Sequence, residues 1–151
     1  MPVSKFSFST ELEAPASQLI KLLTDYESYP NYLTGQLEDV KIIKKTQNEI
    51  ITEDTIYFKT IFKTNFKIQC LHKLLNNTLQ TEILTKPAQG SIIKISLEQL
   101  PSSTKVDVDI DLKLSLKVKI LQPLFKKYYK RTLTSILYKM NYKILDSMSV
   151  N

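Results

Sequence analysis

Residues 105–118 read KVDVDIDLKLSLKV, and residues 122–148 read QPLFKKYYKRTLTSILYKMNYKILDSM. In the first stretch, apolar and polar residues alternate without interruption, which is the pattern of a β-strand with one buried face. In the second, apolar residues recur at slightly more than helical spacing, so their stripe drifts around the helix axis. Such a helix fits across a twisted sheet, and the two stretches predict a β-layer covered by one long C-terminal helix.

The rest of the chain predicts the other parts of an α+β domain. An alternating strand over residues 4–13 precedes Pro15, which suits the first turn of an amphipathic helix. A second short helix is expected over residues 29–33. Further strands are predicted at 40–45, 49–59, 61–75, 78–84 and 91–99. We predict one domain over residues 1–151, with β-α-α-β6-α order and an antiparallel sheet of six to seven strands.

Composition narrows the class of protein. Apolar residues make up 42% of the 151 residues, a share typical of globular domains. The first residues lack the apolar core of a signal peptide, and no apolar run reaches the length of a membrane span. We therefore expect a cytoplasmic protein.

Few residues offer metal or nucleophilic chemistry. Cys70 and His72 are the only cysteine and histidine, which excludes an internal disulfide and a zinc site built from these residue types. Residues two apart on a strand are separated by roughly 6.5–7 Å, too far for a nucleophilic pair. Asp107, Asp109 and Asp111 alternate with apolar residues and lack a glycine turn, so a solvent-facing acidic row is favoured over a calcium loop. We expect no metal and no cofactor.

Positive charge is concentrated at the C-terminus. The net charge is +6, yet residues 117–151 contain eight basic residues and one acidic residue. The predicted helix carries a basic surface formed by Lys126, Lys127, Lys130 and Arg131. Such a surface could be a solvated helix face, or it could dock on nucleic acid, an anionic membrane or an acidic partner.

The N-terminal third contains a motif. Ala14-Pro15-Ala16 precedes a helix, and residues 25–33 read DYESYPNYL. With the strands and the long final helix, this resembles the SRPBCC superfamily, which includes START lipid-transfer domains, polyketide cyclases and a coenzyme Q-binding group. The resemblance implies a helix-grip fold, in which a curved sheet and the last helix enclose an elongated apolar cavity.

Residues on the inner sheet face and on the helix stripe are the candidate lining of that cavity. From the sheet they are Phe8, Ile42, Ile56, Phe58, Phe62, Phe66, Ile68, Ile83, Ile95, Val108, Ile110 and Leu112. From the last helix they are Phe125, Tyr129, Thr132, Ile136 and Met140. The cavity mouth is assigned to Tyr26, Tyr29 and Tyr32. The alternative is that these side chains simply fill a core.

The resemblance favours non-catalytic binding or transport of a hydrophobic small molecule such as a lipid, quinone, isoprenoid or polyketide-like compound. A cyclase or dehydratase is the first alternative, but it needs an acid or base aimed into the cavity. His72, Asp54 and Glu82 are poor or ambiguous candidates for that role. The second alternative is an interaction protein whose basic helix docks on RNA, ribosome or anionic membrane. A ribosome-binding branch of the coenzyme Q-binding group suggests it, but we rank nucleic acid below a transient membrane contact. The sequence leaves the oligomeric state open.

Overall fold

The protein is described by a computed structural model that covers residues 5–57 and 65–149. Its strands are β1 (Lys5–Leu12), β2 (Leu37–Lys45), β3 (Glu49–Tyr57), β4 (Asn65–Leu75), β5 (Thr78–Ile83), β6 (Ile92–Gln99) and β7 (Thr104–Asp111). Helix α1 (Ala16–Leu23) and a first 3-10 helix (Tyr26–Asn31) follow β1. A connecting 3-10 helix (Leu116–Leu121) leads into helix α2 (Gln122–Ser149).

The seven strands form one antiparallel sheet in the order β1-β7-β6-β5-β4-β3-β2, so β1 and β2 are its edges. The α+β helix-grip class is thereby confirmed. Strand β2 is irregular, with register shifts between Leu37 and Asp39 and between Ile42 and Lys44. None of the helices in the described ranges combines the length and hydropathy needed to cross a bilayer.

The core lies between one sheet face and α2. Val106 and Val108 of β7 are fully buried, as are Leu137 and Met140 of α2. Full burial of such side chains contributes about 1.5–3 kcal/mol each. Three hydrogen bonds attach α2 to the N-terminal third. The hydroxyls of Thr10 and Tyr138 are 3.1 Å apart. The backbone N–H of Ala14 donates to Asn141 Oδ1 (2.9 Å), and Lys139 Nζ donates to the carbonyl of Tyr32 (2.7 Å).

The predicted strand over residues 105–118 is too long. Strand β7 ends at Asp111, although the alternation continues to Val118. Asp111 pairs with Ile92, where β6 begins, and with Lys5, where the described part of β1 begins. No described strand extends far enough to pair with the later residues, so the chain turns away into the connecting 3-10 helix.

The buried residues of α2 extend from Phe125 in the first turn to Ile144, but other apolar residues near both ends are exposed. Leu124 in the first turn is 41% exposed and Met148 near the end is 55% exposed. Helix α2 has 28 residues and is about 42 Å long. Its first turn has one apolar side chain in the core, Phe125, beside one that faces solvent, Leu124.

Candidate functional site

A small apolar pocket lies between the sheet and the N-terminal half of α2. Its volume is about 20 Å³, which is room for about one water molecule. It is lined by residues of β3, β4, the β5–β6 loop and α2, namely Ile56, Phe66, Ile68, Pro87, Ala88, Phe125, Tyr128 and Tyr129. We call it the inner pocket; in this conformation it is closed around almost no free space.

An open groove of about 340 Å³ adjoins the inner pocket. We call it the outer groove. It shares Phe66 and Pro87 with the inner pocket and is otherwise lined by Lys67, Lys86, Ser115, Lys117 and Val118. The groove therefore offers a basic-rimmed approach to the apolar interior, at the sheet end where β4 begins.

A buried carboxylate lies beside the inner pocket. Asp54 is two residues from Ile56 along β3 and pairs with Ile68 of β4, so it shares their face of the sheet. The Cys70 thiol donates to Asp54 Oδ2 at 3.6 Å, while Asp54 Oδ1 is buried without a hydrogen-bond partner. Burial raises the pKa of Asp54 to about 6, although the Cys70 thiol and the Thr52 hydroxyl act to lower it.

Tyr129 connects the pocket to this carboxylate. It lines the inner pocket, and burial raises the pKa of its hydroxyl well above the ordinary value, with further increases from nearby Cys70 and Asp54. Tyr129 is therefore a neutral phenol that can donate or accept a hydrogen bond. An apolar pocket with a phenol and a carboxylate at one side can hold an apolar molecule with a polar end.

His72 lies in a polar cluster that shares Thr52 with the surroundings of Asp54. Its Nε2 is 2.9 Å from the Thr52 hydroxyl and its Nδ1 is 2.8 Å from the Thr81 hydroxyl. Its ring stacks on Tyr26, with ring centroids 4.0 Å apart. Burial lowers the pKa of His72 to about 4, so the ring is neutral at physiological pH. Both ring nitrogens are occupied, which leaves neither free for a bound molecule.

The structure brings five of the predicted lining residues together around the inner pocket. They are Ile56, Phe66, Ile68, Phe125 and Tyr129. Eight others are buried in the surrounding core, namely Ile83, Ile95, Val108, Ile110, Leu112, Thr132, Ile136 and Met140. Phe8 is half-buried against that core. Phe58 and Phe62 lie outside the described residues.

Ile42 and the three tyrosines lie elsewhere than expected. Ile42 is 36% exposed because β2 is an edge strand that the helices leave partly uncovered. Tyr26 and Tyr32 are buried in the core. Tyr29 packs against that core and donates its hydroxyl hydrogen to the carbonyl of Leu23 (2.6 Å). The tyrosines therefore pack as interior residues and form no open rim.

The four residues of the predicted basic surface are not equivalent. Lys127, Lys130 and Arg131 are exposed, whereas Lys126 is half-buried. The ammonium of Lys126 is 5.8 Å from the ring centroid of Phe6 on β1, which is cation–π distance. Three of the four can therefore meet a partner without rearrangement.

The sequence analysis missed Pro87, Ala88 and Tyr128 as lining residues and left the facing of Asp54 open. Asp54 shares strand parity with Ile56, a signal that could have placed it on the inner face. Pro87 and Ala88 belong to a loop, and no periodic pattern relates a loop to a pocket.

Comparisons with known proteins establish the family and the fold. The family model described as polyketide cyclase / dehydrase and lipid transport matches residues 12–140, and the chain belongs to that family. No curated protein matches in sequence. Membership of the family implies a domain that binds a hydrophobic small molecule.

Solved structures resemble the fold at low sequence identity. A START superfamily protein from Mycobacterium smegmatis is 17% identical, with 94% of this chain and 97% of that chain covered and a TM-score of 0.74. The Zhui aromatase/cyclase from Streptomyces sp. R1128 is 12% identical, with coverages of 93% and 92% and a TM-score of 0.76. Norcoclaurine synthase from Thalictrum flavum is 15% identical, with coverages of 93% and 86% and a TM-score of 0.72. At these identities the likeness establishes the fold alone.

Proposed function

We propose that this protein is a non-catalytic binder or carrier of an elongated apolar molecule with a hydrogen-bond donor, such as a hydroxyl, at one end. The supporting observation is the apolar inner pocket beside Asp54, whose Oδ1 is buried without a partner. An unpartnered buried acceptor costs about 1–3 kcal/mol. A ligand that donates a hydrogen bond to Asp54 would remove that cost.

Binding requires the inner pocket to open. Burying roughly 400 Å² of apolar ligand surface would contribute about 10 kcal/mol before the costs of association and opening. Three aromatic side chains that line the pocket lie on the first turns of α2, namely Phe125, Tyr128 and Tyr129. We propose that a ligand passes along the outer groove and displaces these side chains.

The experiment compares two probes with the same chain that differ in the donor and in one methyl group. Farnesol carries a hydroxyl, and farnesyl methyl ether does not. We expect the wild-type protein to bind farnesol about tenfold more tightly, the effect of one hydrogen bond. Asp54→Leu should remove this preference while preserving binding of the ether. Equal affinities of the two probes for the wild-type protein would contradict the polar anchor.

A larger side chain in the pocket wall tests whether the ligand binds in the inner pocket. Ala88→Phe should abolish binding of both probes, because Ala88 is buried in the pocket wall. Leu75→Phe, at an exposed position on the β4–β5 hairpin, is the matched control and should bind normally. If Ala88→Phe lowers the thermal midpoint, the smaller Ala88→Val makes the same test. Undiminished binding in a folded filled variant would contradict the proposed site.

An acid–base enzyme is the second candidate, and Asp54 is the observation that favours it. A carboxyl with a pKa of about 6 could accept a proton from a carbon between two carbonyl groups near neutral pH. It ranks second because the carboxyl faces a thiol and a threonine hydroxyl, and the single imidazole of the chain is held by two threonines. A β-ketoacyl thioester probe recovered unchanged after incubation would contradict catalysis; turnover that Asp54→Asn abolishes would support it.

A further inference from the structure

Two large aliphatic side chains project from the connecting 3-10 helix into solvent. Leu116 is 88% exposed and Ile120 is 87% exposed, the two highest values among the exposed large apolar residues of the described chain. Three neighbours, Leu114, Val118 and Leu121, pack against the core instead. The segment therefore has one apolar side that packs against the core and a second apolar side that is exposed to solvent.

Hydrogen bonds fix this segment to the body of the protein. The N–H of Ser115 donates to the carbonyl of Pro87 in the β5–β6 loop (2.8 Å). The Ser91 hydroxyl donates to the carbonyl of Lys113 (3.0 Å) and accepts from its N–H (2.8 Å). Leu116 and Ile120 are thus presented by an anchored support.

Positive charge surrounds the two aliphatic side chains. Lys117 and Lys119 alternate with them and are exposed. Lys127 is also exposed and follows Leu124 by three residues on α2, which places both on one helix face. No acidic residue occurs between Asp111 and Asp146. An occupant of this surface must therefore accept apolar side chains and carry negative charge.

We propose that this surface, formed by Leu116, Ile120 and Leu124 with Lys117, Lys119 and Lys127, docks on an anionic lipid bilayer. Apolar side chains can enter the acyl boundary while lysines contact acidic headgroups, each contributing about 1 kcal/mol. A second copy of the chain would bring lysines against lysines. RNA would satisfy the lysines, but it leaves the aliphatic side chains without an apolar environment. The docking surface borders the outer groove through Lys117 and Val118, and it does not depend on what the inner pocket binds.

The first test is sedimentation with vesicles. The wild-type protein should partition onto phosphatidylcholine–phosphatidylserine vesicles at least roughly tenfold more strongly than onto phosphatidylcholine alone. The combined change Lys117→Glu and Lys119→Glu should remove most of this preference. A wild-type protein that partitions equally onto the two kinds of vesicle, or onto neither, overturns the proposal.

The aliphatic contribution is tested by a second pair of variants. Leu116→Ser with Ile120→Ser should weaken partitioning onto the anionic vesicles by roughly thirtyfold or more. Leu75→Ser is the matched control, because Leu75 is 74% exposed and lies at the opposite end of the strands. Thermal midpoints close to wild type confirm that all variants fold. Unchanged partitioning of the double serine variant overturns the proposal.

A spectroscopic test reports insertion directly. The sequence contains no tryptophan, so Ile120→Trp supplies a single reporter. Its emission should shift to shorter wavelength on anionic vesicles and be quenched by brominated acyl chains. An emission maximum that stays that of water-exposed tryptophan while the protein sediments with vesicles overturns insertion. Salt-sensitive binding to RNA without vesicle binding, or a dimer that the double serine variant dissociates, also overturns the proposal.

Discussion

The Cys70 thiol donates to Asp54 Oδ2 at 3.6 Å, across the β3–β4 pair. Thr52 is the residue directly opposite Cys70 in this register, and its hydroxyl is bonded to His72. The largely buried carboxyl of Asp54 and the buried imidazole of His72 therefore lie on one sheet face, on opposite sides of the Thr52–Cys70 pair. Burial raises the pKa of the first and lowers the pKa of the second, so they give opposite dependences of stability on pH.

Asp54→Asn should change the pH dependence of stability. The pKa of Asp54 is about 6 in the folded protein against 3.8 for the free group, so between these values the unfolded chain releases a proton that the folded chain retains. Asp54 therefore costs stability progressively as pH rises from about 4 to 6, by about 3 kcal/mol in total. Relative to wild type, the free energy of unfolding of the variant, measured in urea, should increase by about 3 kcal/mol between about pH 4 and pH 6. Asp146→Asn, on an exposed carboxyl of α2, is the control. A pH-independent difference for Asp54→Asn would contradict the expectation.

His72→Gln should have the opposite effect. The folded imidazole stays neutral to about pH 4, whereas the unfolded one takes up a proton below its ordinary pKa of 6.5. The contribution of His72 to the free energy of unfolding is complete above about pH 6.5. About 3 kcal/mol of it is lost as the pH falls toward 4. Acidification from pH 7 to pH 4 should therefore destabilise the variant less than wild type. The same urea series measures it, and parallel curves for the two proteins would show that His72 does not titrate as described.

Asn141 provides the buried acceptor for the backbone N–H of Ala14. Asn141→Leu removes the acceptor and leaves that donor unpaired inside the core, at a cost of about 1–3 kcal/mol. The measurement is the free energy of unfolding. In Asn141→Ser the side chain is too short to reach the same N–H directly, but a water molecule can bridge the gap. The free energy of unfolding of this variant should lie between those of the wild type and the leucine variant. A leucine variant as stable as wild type would mean that the bond makes no net contribution.

Met140 tests the packing of α2 on the sheet. It is fully buried, so Met140→Ala should destabilise the fold by about 2–5 kcal/mol through lost burial and the resulting cavity. Met148→Ala removes the same atoms at an exposed position of the same helix and should change the unfolding free energy by less than about 0.5 kcal/mol. Similar losses of unfolding free energy in the two variants would show that burial of Met140 against the sheet does not stabilise the fold.

Cys70 reports on opening of the interior. It is buried, and desolvation together with nearby Asp54 raises the pKa of its thiol well above the ordinary value. Since the thiolate is the reactive form, alkylation of the folded protein at mildly alkaline pH should be at least roughly a hundredfold slower than in urea. The single cysteine makes mass spectrometry a direct measurement. Rapid alkylation without denaturant would show that the pocket opens readily in the absence of a ligand.

Much of the fold could be predicted because it depends on local periodicity. The alternation after Lys105 identified a strand, and the drifting stripe identified the helix that covers the sheet. The end of that strand could not be predicted, because it depends on where β6 begins, at Ile92. Side chains of residues 112–118 alternate just as well, but the described sheet offers no backbone to pair with them.

The site was predicted less well for the same physical reason. Residues such as Ile56, Ile68 and Phe125 follow from facing alone, and they do line the inner pocket. The sheet face on which a residue lies does not reveal how far its strand is from the covering helix. Ile42 was therefore predicted to line the cavity, although it is 36% exposed on an edge strand. The sheet face also does not reveal that Asp54 would be left with an unpartnered oxygen, since that depends on neighbours from another strand.

The irregular edge strand β2 affects how readily molecules of this protein associate through their sheet edges. A straight free edge would let one sheet continue into the next, backbone to backbone. Here two register shifts interrupt the regular edge, and Lys41, Lys44 and Lys45 are exposed along it. Both features disfavour strand-to-strand growth into fibrils at this border, whatever the pocket contains.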